Sequence, residues 1–297
     1  LDQKPLELKS YEDLLAQEGF QETLAFHPKA DRRFEKVLWP YQFLDMAPCG
    51  ISSCRQKHLR GYLVQSSDGL ITNIGNRCGL REFGVDFTRD RKRVDDLVAQ
   101  HRREESIRAT IRSLPTMISE LEQIERDYKL LSQLKNRLFG ALDMTLFQHL
   151  KDRANRDEHT IKRMVRRTQA EVQAYLATNS NVNFERDRES IQYKEEVVAV
   201  LEGLAFVRAR FKDIVDVGVI TPLRNLQKTK ESDIPLMTKR ELMSNSKWIG
   251  DLPAKMNQTR DIIAAGWRFF TRDNIMKLKL LGADSKVLML YCADLPK

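Results

Sequence analysis

Glycine, proline and cysteine are all scarce in this chain of 297 residues, with 13, 9 and 4 copies respectively. Few glycines and prolines leave few tight turns, which favours long helical segments over a turn-dense β-sandwich. Four cysteines are too few for a disulfide framework, and Cys49, Cys54 and Cys78 sit close together in sequence. That usage fits a metal site in a reducing compartment. No run of 18 apolar residues occurs, so no transmembrane helix or membrane contact is expected. Residues 1–10 are polar and carry no apolar signal core. A cytoplasmic or nucleoid-associated protein is the expectation.

The local signatures of catalysis are absent too. There is no Gly-x-x-x-x-Gly-Lys-Ser/Thr loop, no Gly-x-Gly-x-x-Gly, no His-Glu-x-x-His and no Gly-x-Ser-x-Gly. Asp157, Glu158 and His159 are consecutive, and on a helix consecutive side chains diverge. His101 and His149 read as surface or packing residues, and Cys292 as core. No enzyme is expected, unless its residues converge only in the fold.

What the sequence does hold is a set of metal-ligating residues with the order Cys49-x4-Cys54-x3-His58-x19-Cys78. Three thiolates and one imidazole are a common closed, tetrahedral zinc set with no open position for catalysis. Gly50 and two serines allow a knuckle between Cys49 and Cys54, and His58 suits a helical turn or wide loop. Residues 61–65 and 70–74 read as strands joined by Ser66-Ser67-Asp68-Gly69, a hairpin that returns Cys78 to the first three ligands. Gly79 reads as the turn that lets Cys78 approach the ion. In this knuckle-and-hairpin order the stretch resembles treble-clef and zinc-ribbon modules, which implies a small β module around a structural zinc. It departs from their two-plus-two spacing, since three ligands precede the hairpin and one follows. The departure bears on His58, and His27 is the substitute if another histidine completes the set. The alternatives are three small core cysteines beside a surface histidine, or a Cys49–Cys54 disulfide.

The rest of the chain reads as helix. Ser10 caps a short helix over 10–18, and 34–46 is extended and broken at Pro40. From Thr88 glycine and proline nearly vanish, and Ile107, Leu114, Leu121, Leu131 and Leu138 mark a near-heptad seam over 107–138. Pro115 suits the first turn of a fresh helix capped by Ser113, so two helices are expected to meet there. Helices follow over 157–177 and 187–217, then a linker over 227–235. Further helices over 238–245, 252–270 and 275–281, with a break at 271–274, lead to a final strand over 286–292. The expected fold is mainly α. It comprises an N-terminal helical segment (1–33), a zinc-binding β module (34–87), a helical bundle or coiled-coil hairpin (88–226) and a helical C-terminal subdomain (236–297).

Charge points to a partner. Lys and Arg number 50 against 42 Asp and Glu, a net of +8, and residues 88–178 carry +5 of it. Arg91, Lys92 and Arg93 follow the cysteines, and Arg163, Arg166 and Arg167 form a second cluster. Arginine forks suit phosphate oxygens. The expectation is a non-enzymatic, zinc-stabilised nucleic-acid-binding accessory or regulatory protein, touching phosphates without reading sequence. The alternative is a scaffold or assembly subunit whose 107–138 seam pairs with a partner or a second copy, with the zinc module docking another protein. A bland, charge-laced helix surface would explain the same residues.

Overall fold

A computed structural model describes residues 8–26, 32–179 and 181–296. Helix accounts for 63% of the described residues, alongside a small N-terminal antiparallel sheet that leads into a long helix. Two compact units emerge, residues 1–110 with 231–247 and residues 111–230 with 248–297.

The first unit opens with α1 (Tyr11–Leu15), where the Asp13 carboxylate accepts from the Lys9 and Ser10 amides and holds the first turn. Three strands follow, β1 (Phe34–Pro48), β2 (Lys57–Ser66) and β3 (Ile71–Gly75), in the order β1-β2-β3. The hairpin closes through Ser66-Ser67-Asp68-Gly69 as its turn residues predict. Pro40 does not break the extended segment. It sits within β1 opposite Tyr62, and an edge strand tolerates a residue with no amide to donate. Val37, Ile51, Val64, Ile74 and Phe87 form one apolar cluster, and Leu14, Tyr41, Phe43 and Leu63 form another.

The long helix is α2 (Asn76–Ala141). A kink at Gly84 divides it into a short first helix and a long second one that begins close to Thr88 and runs through Pro115, so the expected junction near Ser113 is absent. Its one non-helical residue is Gly84, at φ 56° and ψ −125°. A missing amide inside a helix costs about 3 kcal/mol, which the buried seam offsets. Leu114, Leu121, Ile124, Leu131, Leu134 and Leu138 are all buried. The covering residues belong to the second unit itself: Phe211 meets the Tyr128 ring, Tyr291 donates to the Leu134 carbonyl, and Arg224 grips Glu125 at 2.6 and 2.7 Å. The seam is therefore spent on the chain's own core rather than left for a partner helix.

Two further helix expectations are overturned in this unit. After α3 (Met144–Asn155), residues 157–177 form β4 (Thr160–Arg166) and α4 (Gln169–Thr178). Residues 187–217 form α5 (Arg188–Gln192), β5 (Tyr193–Val200) and α6 (Leu204–Arg208) before a π-helical stretch, Lys212–Ile220, that runs into α7 (Thr221–Lys228). β4 and β5 pair antiparallel as a two-stranded ribbon. Ile161, Val165, Val197, Val198 and Val200 are β-branched, and their strand preference prevails once each segment has a partner.

The expected linker carries a short 3-10 turn, Glu231–Leu236, with Ile234 buried. The two helices expected after it are one, α8 (Lys239–Phe269), which passes through Pro253. Thr271 caps α9 (Arg272–Met276), as the break at 271–274 predicts. The final strand is instead α10 (Ser285–Ala293). The Asp284 carboxylate accepts from the Lys286 and Val287 amides, and Leu288, Tyr291 and Cys292 fall on one buried helical face. No helix among the described residues is long and apolar enough to cross a membrane.

Gly203 closes the second unit. At φ 68° its Cβ position lies 2.1 Å from the Ala265 carbonyl oxygen and 2.6 Å from the Phe269 nitrogen. Gly203→Ala should therefore cost about 2–4 kcal/mol from combined strain and overlap. A urea titration should show a lower midpoint with an unchanged slope.

Candidate metal centre and basic side chains

Cys49, Cys54 and Cys78 come together with all three sulfurs within 4.8 Å of one another. Cys49 follows β1, Cys54 lies in the turn before β2, and Cys78 stands in the first turn of α2. Backbone bonds fold the knuckle: Cys54 donates its amide to the Ile51 carbonyl at 2.9 Å, and Cys49 donates to Gln56 at 3.1 Å. Gly79 does not turn the chain here, because it lies inside α2. A Cβ there would sit 2.5 Å from the Phe87 ring, so glycine lets that ring pack under the cysteines.

Cys49 and Cys78 are buried and Cys54 is half-buried. Burial raises the Cys49 thiol, against amide hydrogen bonds from Ile51 and Gly75. Burial and the neighbouring thiols push Cys78 up to about 12. Burial also acts to raise Cys54, but hydrogen bonds from the Gln56 amide, Cys78 and the Arg81 guanidinium outweigh it, leaving that thiol low. Three thiolates this close repel one another, so ionising all of them calls for a cation. The donor set fits a thiophilic ion: three sulfurs, with backbone amides already pointing at two of them. The Cys54 and Cys78 sulfurs are 3.1 Å apart. That is longer than the ~2.05 Å of a disulfide and shorter than the ~3.75 Å edge of a tetrahedron with 2.3 Å zinc–sulfur bonds. Metal binding would part them slightly.

His58 is not in this group. It lies in β2 rather than in a helical turn or loop, and both ring nitrogens are engaged. Asn73 donates to the Tyr41 hydroxyl at 3.0 Å, Tyr41 donates to His58 Nε2 at 2.5 Å, and His58 Nδ1 donates to the Gln56 carbonyl at 3.1 Å. This relay accommodates a neutral ring, and burial lowers its pKa. His27, the substitute ligand, lies outside the described residues. Arg81 was missed from sequence. It stands three residues after Cys78 on α2, a spacing that places both on one helical face.

The basic residues divide into two sets. Arg91 bonds Asn76 and faces Asp95 at 3.9 Å, and Arg93 pairs with Asp90 at 2.7 Å. Lys92 is exposed. Three consecutive helical residues point in three directions, so they do not make one face. Arg163, Arg166 and Arg167 lie on or just after β4 rather than on a helix. Strand alternation puts Arg163 and Arg166 on opposite faces of the ribbon. Among the described residues these three make no ion pair, and Arg167 stacks over the Tyr175 ring at 4.5 Å. Comparison with family models, curated proteins and solved structures finds no match to this chain.

The lowered pKa of His58 has a testable sign. The unfolded state holds that proton more tightly than the fold does. The stability His58 contributes is thus present above its ordinary value of 6.5 and lost as pH falls through its lower, folded midpoint. NMR of the metal-free protein should show His58 titrating below 6.5, with stability falling across the same window.

Proposed function

We propose that the chain is a zinc-stabilised nucleic-acid-binding accessory protein with a structural rather than a catalytic metal. Zinc is held by the thiolates of Cys49, Cys54 and Cys78, with one ligand besides. The proximity of the three sulfurs supports this part. His58 is committed to Tyr41 and Gln56, so a structural site takes its fourth ligand from another side chain, with His27 the candidate that the sequence offers. The phosphate contacts come from Arg163, Arg166 and Arg167. The observation that carries this is that, among the described residues, they have no acidic partner, where Arg91 and Arg93 are tied to their own carboxylates.

One observation favours an assembly subunit that pairs with a second copy instead. The ribbon face bearing Met164, Tyr193, Val197 and Val200 is exposed, at 54%, 37%, 51% and 47%. On that reading light scattering would show a mass well above the 34.6 kDa monomer.

Two measurements test the proposal. Metal analysis should find one zinc per chain, retained in His58→Ala and lost in Cys54→Ser, whose residues 45–85 should unfold. A protein free of zinc contradicts the metal claim. In a salt-dependent binding assay, replacing Arg163, Arg166 and Arg167 with Ala should weaken binding to nucleic acid and reduce the salt slope by about 2–3. Unchanged binding, or none by the parent at low salt, contradicts the phosphate claim.

A further inference from the structure

A cavity of about 490 Å³ opens where the end of β4 meets α4 and α5. Arg166, Arg167 and Arg188 line it, and no Asp or Glu does. Elsewhere arginine is commonly neutralised, as Arg93, Arg108, Arg224 and Arg260 are by neighbouring carboxylates. Among the described residues none of the three cavity arginines has such a partner. Three unneutralised guanidinium groups around one concavity repel one another, and an anion would relieve that repulsion. Arg167 is held in place by its stack on Tyr175, and its Nε is buried without a hydrogen-bond partner.

The remaining lining is not that of a simple anion site. Val172 and Ile191 supply an apolar wall, and Phe184 lines the cavity while 65% exposed. An aromatic ring displayed to solvent beside arginines suits a base stacked above its phosphate. The Gln192 amide, also in the lining, can both donate to and accept from a base edge.

Resting on the nucleic-acid reading above, we infer that this cavity takes one nucleotide of a single strand. The phosphate lies among Arg166, Arg167 and Arg188, and the unstacked base lies against Phe184. A duplex keeps its bases stacked and paired, so it reaches a concave site only by flipping one out, whereas a single strand offers bases at little cost. The cavity volume falls within the range of small-ligand sites.

The test uses the full chain with a labelled oligothymidylate, a mixed-sequence duplex and a phosphoserine peptide, by fluorescence anisotropy at several salt concentrations. The single strand should bind about tenfold or more tighter than the duplex. Phe184→Ala should weaken the strand about tenfold and leave the duplex unchanged. Arg188→Ala should weaken the strand and lower its salt slope by about 0.7. Both side chains are exposed, so neither variant threatens folding. Equal affinity for strand and duplex, or a Phe184→Ala effect that is nil or the same for both, overturns the cavity while the phosphate contacts stand. Tighter binding of the phosphopeptide also overturns it. No binding to either nucleic acid at low salt overturns both.

Discussion

Three sulfur atoms gathered within 4.8 Å of one another, two of them on buried cysteines, are the constraint on which the first unit turns. Burial and mutual repulsion oppose their ionisation, and a thiophilic cation removes both penalties at once. The surrounding structure is arranged to make the gathering possible. The β2–β3 hairpin returns the chain from the knuckle to the start of α2, and Phe87 fills the space that Gly79 leaves open. Cys49 and Cys78 also belong to the apolar cluster around Val64 and Ile74, so the site and the core share residues. A cation bound there would therefore bear on packing as well as on charge.

His58 and Arg81 show why ligand spacing alone misassigns such a site. His58 lies at a plausible interval from Cys54, but strand pairing places it in β2, beside Tyr41 and the buried Asn73. Arg81 carries no ligand atom, yet helix geometry brings its guanidinium to Cys54, where it helps hold that thiol low. A cation from the protein thus already supports one of the three sulfurs, in the direction a metal would extend to all of them.

The locally encoded features were legible in the sequence. Ser10 with Asp13, the Asp68-Gly69 turn and the Thr271 cap each act through neighbours a few residues away. Features set by distant partners were not. Residues 160–166 and 193–200 pair across some thirty residues, and their arginines and glutamates imitate a charged helix when read alone. Pro115 and Pro253 sit within continuous helices, with the α2 seam offsetting the broken bond at Pro115. The 286–292 stretch is apolar enough for a strand, but Asp284 caps a helix whose Leu288 and Tyr291 fit the core. The three cysteines were visible by clustering. Arg188 and Phe184 were not, because only the folding of α5 beside β4 brings them to Arg166 and Arg167.

The two units then present different chemistry. The first concentrates soft sulfur donors in a buried setting, and the second displays arginines that have no acidic partner among the described residues, beside an exposed aromatic ring. The account stands first on the sulfurs, and X-ray absorption at the zinc edge of the purified protein tests them most directly. It predicts a shell of three sulfurs at about 2.3 Å with one lighter nitrogen or oxygen neighbour. Zinc surrounded only by nitrogen and oxygen, or no bound zinc, would contradict it.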